Sequence, residues 1–560
     1  MTKLLLGHSI RQRVVAALVI GALTASGMAS ADNDSHGHGF QFLPGNLVVS
    51  RSVYDNKSSN VAVGTILPVN CANTTGGCGA ATGAPYDGTY PYVWNNDLYD
   101  GSFGITARIF LDQMTPNGWL VNSLEVPNSS LPTAMAGELV TSFSSKSELA
   151  LHLSLDHRYL TFMGYVAPVN AIDVSNSNTP GAIDGTNPDG QNFYRAVATV
   201  NRSGRFSFTE TNAYSGNNGR AAILDDRGIA NYLYTAGNAG NGNNPQPAGI
   251  VLGAGAQFII PVSLPEVAQT PGASTPVSSF SLTALGQKAD KIGKDDNFRG
   301  MTVFNNVLYY TKGSGSNGIN TVYFVDTTGK ACPNGVGLPV PGAALPSAPL
   351  SYNASTLATA GLPTNMCVLA GFPSTPNKSA TTTAYPFDLW FADANTVYVA
   401  DEGDGYTGGS DLYTHAAAQT TAGLQKWVFD ATAQSWKLAY TLQAGLGLGQ
   451  SYSVRDYPAD VNPATNLPWS PATDGLRNFT GRVDRDGKVT LWAVTSTVSG
   501  NGDIGADPNR LVAIRDDLKN TTAAGAAKES FVTLRTAKFG EVLRGVSFTP
   551  DADGDHGRQH

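Results

Sequence analysis

The sequence predicts an all-β chain folded into one closed β-propeller of four-stranded blades, and three observations carry the prediction. The first is a repeat. LRGVSFTP (Leu543–Pro550) shares its register with DGLRNFTG around Arg477, NFRGMTV around Arg299 and NNGRAAIL around Arg220. Two further copies, KSELALHL around Glu148 and YPFDLWFA around Asp388, carry an acid at the marked position, which recurs after 72, 79, 89, 89 and 67 residues. The second observation is that a tight polar turn and another strand-like run follow the copies: YLTFMGY, YLYTAGN, VLYYTKG, TVYVADEG and VTLWAVT. Long-period self-similarity built from short β runs marks a propeller or solenoid. The third is a mismatch at the two ends. NLVVSRSVY (Asn46–Tyr54) matches the second run of a unit and has no first run before it. LRGVSFTP is the missing strand, so pairing of N- and C-terminal strands should close the ring and remove its free edges.

Taken in order, residues 1–31 read as a secretory signal: Lys3, Arg11 and Arg13, an apolar run Val14–Leu23, and a small-residue cleavage site ending at Ala31. The run is too short to span a bilayer, so a periplasmic or secreted protein with no membrane span is expected. Residues 32–43 form a flexible leader, 44–550 the propeller and 551–560 a flexible tail. The closing blade continues with ITARIFLDQ and WLVNSLEV. Unit two runs ELALHLSL, YLTFMGY, FYRAVATV and RFSFTET, and unit three AAILDD, YLYTAGN, AQFIIPV and a fourth strand near Ser279–Leu285. Unit four has RGMTVF, VLYYTKG and TVYFVDTT before a long insertion. Unit five has FDLWFA, TVYVADE, LQKWVFDA and WKLAYTL, and unit six RNFTGRV, VTLWAVT, RLVAIRDD and SFVTLRT. Six blades are counted, and the stretches 262–297 and 329–384 each leave room for a seventh.

Composition agrees with an exported β protein. Aromatic residues at 9% supply a core, and charged residues at only 14% exclude a disordered polyelectrolyte. The formal charge of −8 becomes −11 once the three basic residues of the signal are removed. An acidic chain of this kind argues against a nucleic-acid partner, whose phosphates need a basic surface. Cys71 with Cys78 and Cys332 with Cys367 each fall in loop-like segments, and in an exported chain they read as two local disulfides.

Loop lengths divide the propeller into two faces. First-to-second and third-to-fourth connections share one face and are tight turns here (LDHR, NRSG, FNN, VDRDGK, TPNG). Connections on the other face include the insertions 55–104, 166–191, 329–384, 401–422 and 441–475. Long loops on a rigid scaffold are where function concentrates. The marked position enters each innermost strand from that face, so Glu148, Arg220, Arg299, Asp388, Arg477 and Arg544 should ring one mouth of the channel. Guanidiniums there suit carboxylate or phosphate groups. Glu148 and Asp388 are the candidates for any acid–base role, with the neighbouring arginines favouring their charged forms. The same arginines could equally pair with carboxylates between blades.

Among other motifs, DEGDGYTGGSD offers Asp401, Glu402, Asp404 and Asp411 as oxygen ligands of the type Ca²⁺ prefers, without EF-hand spacing. GNAGNGNN opens no helix and is no phosphate loop. No GxSxG or HExxH occurs, so the usual serine-hydrolase and zinc-protease signatures are absent.

TSFSSKSELALHLSLDHRYLTFMGYVAP, LRNFTGRVDRDGKVTLWAVTS and LRGVSFTPDADG resemble a group of exported bacterial β-propeller proteins of uncharacterised function, over most of residues 44–550. Unit two departs from that pattern, with Asp156-His157 replacing an Asp-Gly turn. The blades also distantly resemble gluconolactonase-type and NHL-type propellers. The resemblance implies a divalent metal held at the mouth by Glu, Asn and Asp, whereas four of the six equivalent positions here are arginine. Two function classes follow. One is a monomeric binding propeller for an anionic small molecule, glycan or extracellular protein. The other is a hydrolase or lyase acting on an anionic substrate at the same mouth, metal-assisted or not.

Overall fold

A computed structural model describes residues 39–67, 83, 85–92, 94, 104–131, 138–180, 192–211, 213–238, 255–259, 261, 277–279, 297–313, 318–332, 334–347, 366–376, 380, 383–463 and 465–551. Six sheets form a six-bladed β-propeller. From the channel outward, blade 1 is Glu541–Phe548, Leu47–Val53, Thr106–Met114 and Leu120–Glu125. Blade 2 is His152–Leu153, Tyr159–Tyr165, Arg195–Asn201 and Phe206–Thr211. Blade 3 is Gly219–Asp225, Tyr232–Gly237, Ala256–Ile259 and Val277–Ser279. Blade 4 is Phe298–Phe304, Val307–Lys312, Thr321–Val325 and Met366–Leu369, with Val336–Gly337 outermost. Blade 5 is Pro386–Asp393, Thr396–Asp401, Gly423–Asp430 and Ser435–Leu442. Blade 6 is Ala472–Val483, Lys488–Val498, Arg510–Asp517 and Val532–Thr536.

Polar contacts between neighbouring blades complete the circle. Ser50 Oγ of blade 1 donates to the Leu149 carbonyl at 2.8 Å, just before blade 2, and Ala150 N–H donates to the Arg220 carbonyl at 3.3 Å. Arg220 Nη1 meets the Phe298 carbonyl at 2.7 Å, Thr311 Oγ1 the Phe387 carbonyl at 2.7 Å, Phe479 N–H Asp388 Oδ2 at 3.1 Å, and Asn478 Nδ2 the Arg544 carbonyl at 2.8 Å. Ring closure is as expected. Leu47–Val53 runs antiparallel to Glu541–Phe548, with Leu47 opposite Phe548 and Val53 opposite Glu541. Arg51 clamps the seam, donating to Asp112 Oδ2 at 2.6 Å and Glu541 Oε1 at 2.9 Å.

The apolar pattern follows position in the blade. Every residue of Val307–Lys312, a second strand with a sheet on either side, is buried, whereas the edge strand Leu120–Glu125 is exposed at its first two residues. Between blades the faces interlock. Tyr234 and Phe258 of blade 3 share a cluster with Met301 and Tyr310 of blade 4, and Leu424 and Tyr440 of blade 5 share one with Leu491 and Val512 of blade 6. The FNN turn is a two-residue hairpin, Phe304 opposite Val307, with Asn305 and Asn306 at φ 49° and 60°, the left-handed pair that a type I′ turn requires.

Several expectations are corrected. The first strand of blade 2 is only His152–Leu153, because Leu149 takes φ 64° and turns its carbonyl toward Ser50. The insertion 329–384 is not a loop throughout. It supplies Met366–Leu369, the fourth strand of blade 4, while Cys332–Cys367 is bonded as expected, with Cα atoms 5.9 Å apart. The last strand of blade 3 is Val277–Ser279. Loop 401–422 holds a short helix, Leu412–Ala418. No seventh sheet occurs among the described residues apart from the two-residue hairpin Val461–Asn462 and Leu467–Pro468. Cys71, Cys78, the signal and residues 552–560 lie outside the described residues. No helix among the described residues is long and apolar enough to cross a membrane.

One interblade latch is ionic. Lys426 of blade 5 meets Asp516 of blade 6 at 2.8 Å with both side chains fully buried, and Tyr398 and Tyr440 also donate to Asp516. Lys426→Met leaves that carboxylate without its cation. It is expected to cost about 3–5 kcal/mol in thermal or denaturant unfolding, with much of the loss recovered in Lys426→Met/Asp516→Asn. An unchanged midpoint for the single variant would refute the latch.

Candidate functional site

Antiparallel pairing sets the level of the charged groups. Arg220 and Arg299 stand second in their innermost strands, while Arg477 and Arg544 lie further into theirs. The end of each second strand returns to the same level. In blade 5 Pro386 pairs with Asp401, so Glu402 emerges beside the entrance of the innermost strand. A β-bulge between Pro386 and Asp388 interrupts the register there. Asp388 consequently does not join the arginines at the long-loop mouth. It lines a separate vestibule at the opposite end, and Glu402 meets the arginines in its place.

Glu402 lies 3.6 Å from Arg299, 3.4 Å from Arg477 and 3.7 Å from Lys146. Burial works to raise its pKa, and Lys146, Arg299, Arg477 and Arg220 overcome this and hold it below the ordinary 4.5. Glu148 occupies the other acidic place. Its Oε2 accepts from Thr141 Oγ1 at 2.6 Å and Ser142 N–H at 3.0 Å, and its Oε1 from Tyr165 Oη and from Asn218 Nδ2 at 3.4 Å. All six marked residues are 4% exposed or less, so the ring is a buried collar and not an open rim.

Among the described residues positive charge exceeds negative in this collar. Desolvation lowers the pKa of Arg220, Arg299 and Arg477, and brings Arg544, which also feels Arg477, down to about 9. Lys146 is attracted by Glu402, but burial with Arg299 and Arg477 outweighs that and lowers its pKa. Arg544 donates to Ser52 Oγ and the Phe143 carbonyl, and Arg220 to Asn297 and the Phe298 carbonyl. Arg544 Nη1 and Arg220 Nε are buried with no hydrogen-bond acceptor among the described residues.

Above the collar a cleft of about 360 Å³ is lined by Lys146, Arg220 and Arg299, with Ser145, Asn217, Asn218, Asn238 and Asp503 among its other walls. Asn238 Nδ2 donates to Asn217 Oδ1 at 2.6 Å and Asn218 Nδ2 to Ser145 Oγ at 3.2 Å, which orients the amides. Lys146, Glu402 and the asparagines were not among the residues singled out for this mouth. The pair Asn217-Asn218, one glycine before Arg220, and Glu402 directly after a second strand were the available signals.

Asp388 also departs from expectation in its charge. Burial raises its carboxyl to about 8, against hydrogen bonds from Phe479 and Leu389 N–H, and no arginine offsets it. The acidic loop 401–411 does not converge on one point. Asp401 is buried, accepting from Tyr385 N–H at 2.9 Å, Gln425 Nε2 at 3.2 Å and Gly403 N–H at 3.0 Å. Glu402 faces the cations. Asp404 and Asp411 are exposed, Asp404 held by His415 Nε2 at 2.7 Å and Asp411 accepting from Tyr406 Oη at 3.2 Å. Among the described residues these four carboxylates form no group with the spacing of a metal site.

No protein-family model matches the chain, and no curated protein matches it. Among solved structures it is similar to a point mutant of NanB sialidase from Streptococcus pneumoniae, with TM-score 0.34 and 9% identity over 75% of this chain. The chain spans 64% of that sialidase's length. It is also similar to an ulvan lyase of a polysaccharide lyase family bound to -[GlcA(1-4)Rha3S]-, with TM-score 0.29 and 13% identity over 82% of this chain and 86% of that one. An exo-β-1,3-galactanase from Phanerochaete chrysosporium gives TM-score 0.21 and 10% identity over 82% and 89% of the two chains. At these identities the likeness concerns the fold alone.

Proposed function

We propose that this propeller binds an anionic ligand at the long-loop mouth, with an acidic sugar as the chemical class that best fits the lining. One observation carries the reading: among the described residues Arg220 Nε, a buried guanidinium donor of a cleft-lining residue, lacks an acceptor, in a collar where the described cations outnumber the described carboxylates. Buried donors are almost always satisfied, and an unsatisfied one invites a partner from outside the chain. A carboxylate or sulfate seated near Lys146, Arg220 and Arg299 would supply it, with the asparagine amides and Ser145 beside it for ring hydroxyls. The hydrolase or lyase alternative has less support. Glu148 is already engaged by Thr141, Ser142, Tyr165 and Asn218, and Asp388 faces the other vestibule.

Lys146 is the residue to test, because its side chain is 35% exposed and its removal leaves Glu402 with two arginines. Lys146→Ala is expected to weaken binding of glucuronate or galacturonate oligosaccharides in calorimetry by about tenfold, the worth of one charge-assisted contact. Its melting temperature should stay near that of the wild type, and binding should fall with added salt. Absence of binding by the wild type to uronate and sulfated sugars alike, or an unaltered affinity in the variant, would refute the proposal.

A further inference from the structure

We propose that the opposite end of the channel is a second, independent binding site, one for an uncharged hydroxylated ligand such as a neutral monosaccharide or polyol. The vestibule there holds about 390 Å³, within the range of about 300–1,000 Å³ typical of small-molecule sites, and every blade contributes to it. His152 and Leu153 come from blade 2, Ile223 from blade 3, Thr302 from blade 4, Asp388 and Trp390 from blade 5, Thr480 from blade 6 and Ser547 from blade 1.

Apart from Arg227 at its rim, its walls are rich in hydrogen-bonding groups and apolar side chains. His152 is bonded to the Met301 backbone and burial brings its pKa down to about 4, so the imidazole is uncharged at neutral pH. Its Nδ1 is buried and has no hydrogen-bond partner among the described residues. The Asp388 carboxyl, raised by burial to about 8, accepts from Leu389 N–H at 2.9 Å and Phe479 N–H at 3.1 Å. Thr302 and Thr480, half-buried residues of blades 4 and 6, also line it. Arg227, at the rim, is already held by Asp225 at 2.9 Å and Asn306 at 3.0 Å. Half-buried Trp390 adds an aromatic surface whose far side is closed by Gly481, since a Cβ there would come within 2.8 Å of the ring. The one cation lining this vestibule among the described residues, Arg227, is already paired with Asp225, in contrast to the cationic mouth. A polyol would satisfy His152 Nδ1 and the hydroxyls together, and a sugar ring presents the C–H face that packs on an aromatic side chain.

The test is saturation-transfer NMR on the full chain with D-glucose, D-galactose, D-mannose and glycerol at millimolar concentration. Transfer to at least one probe is expected in the wild type. It should fall by about fivefold in Thr302→Val/Thr480→Val, which removes two hydroxyls at nearly constant volume, and also in His152→Leu. It should persist in Lys146→Ala, which lies at the other mouth. If His152→Leu does not fold, the threonine double variant decides alone. No transfer with any of the four probes, or transfer unchanged in the threonine variant, overturns the site. Transfer lost in Lys146→Ala but kept in the threonine variant places the sugar in the upper cleft and overturns it equally.

Discussion

A chain ending at Leu534 is expected to be insoluble. Truncation there removes Glu541–Phe548, the innermost strand of blade 1, together with Arg535, which pairs with Asp112 at 2.7 Å. Val542, Leu543, Val546 and Phe548 are all 6% exposed or less, and burying such side chains contributes about 1.5–3 kcal/mol each. The total is comparable with the roughly 5–15 kcal/mol net stability of an ordinary protein. Leu47–Val53 would also become an open edge, with Arg51 parted from Glu541. Sedimentation of the expressed product and its melting curve check this. A soluble truncation with the full-length melting temperature would show that the ring does not depend on its closing strand.

The Arg299→Ala/Arg477→Ala double variant is expected to lose about 3–5 kcal/mol, because it leaves the buried Glu402 carboxylate with Lys146 as its remaining cation within reach. Adding Glu402→Gln should recover much of that loss, since the neutral amide needs no counter-ion. Acid provides a second readout. In the wild type the Glu402 pKa is held below its ordinary value, so the stabilisation is present above the usual carboxyl range and is lost as pH falls through the lowered value. Without the arginines burial pushes that pKa up, so acidification relieves the buried charge in the variant. The stability gap between wild type and double variant should therefore narrow between pH 7 and pH 4. Equal unfolding midpoints at pH 7 would remove Glu402 from its assigned role.

How much of the site was legible is clearest at blade 5. The marked position there is Asp388, and repeat alignment places it with the arginines. The structure places Glu402 with them, because the bulge after Pro386 shifts the register and the neighbouring strand end supplies a carboxylate at the required height. A periodic pattern carries no record of a single bulge. Lys146 precedes the strand expected from Glu148, and the observed strand begins only at His152, so Lys146 lies in the loop that lines the cleft.

By itself the sequence determined the architecture: six copies of one unit, their strand order, the tight-turn and long-loop faces, and the closure of the ring by its two ends. These follow from periodicity and turn chemistry, which are local properties summed over many residues, and a few errors do not disturb them. Tertiary structure alone decided which charges meet. Arg299 and Arg477 come from different blades and Glu402 from between them, so their shared ion pair depends on sequence separations of 75 to 103 residues that no local pattern encodes. Burial was also decided there. It encloses the arginines in a collar and raises the Asp388 carboxyl to about 8 at the far end of the channel, because desolvation depends on what every other blade places around a group.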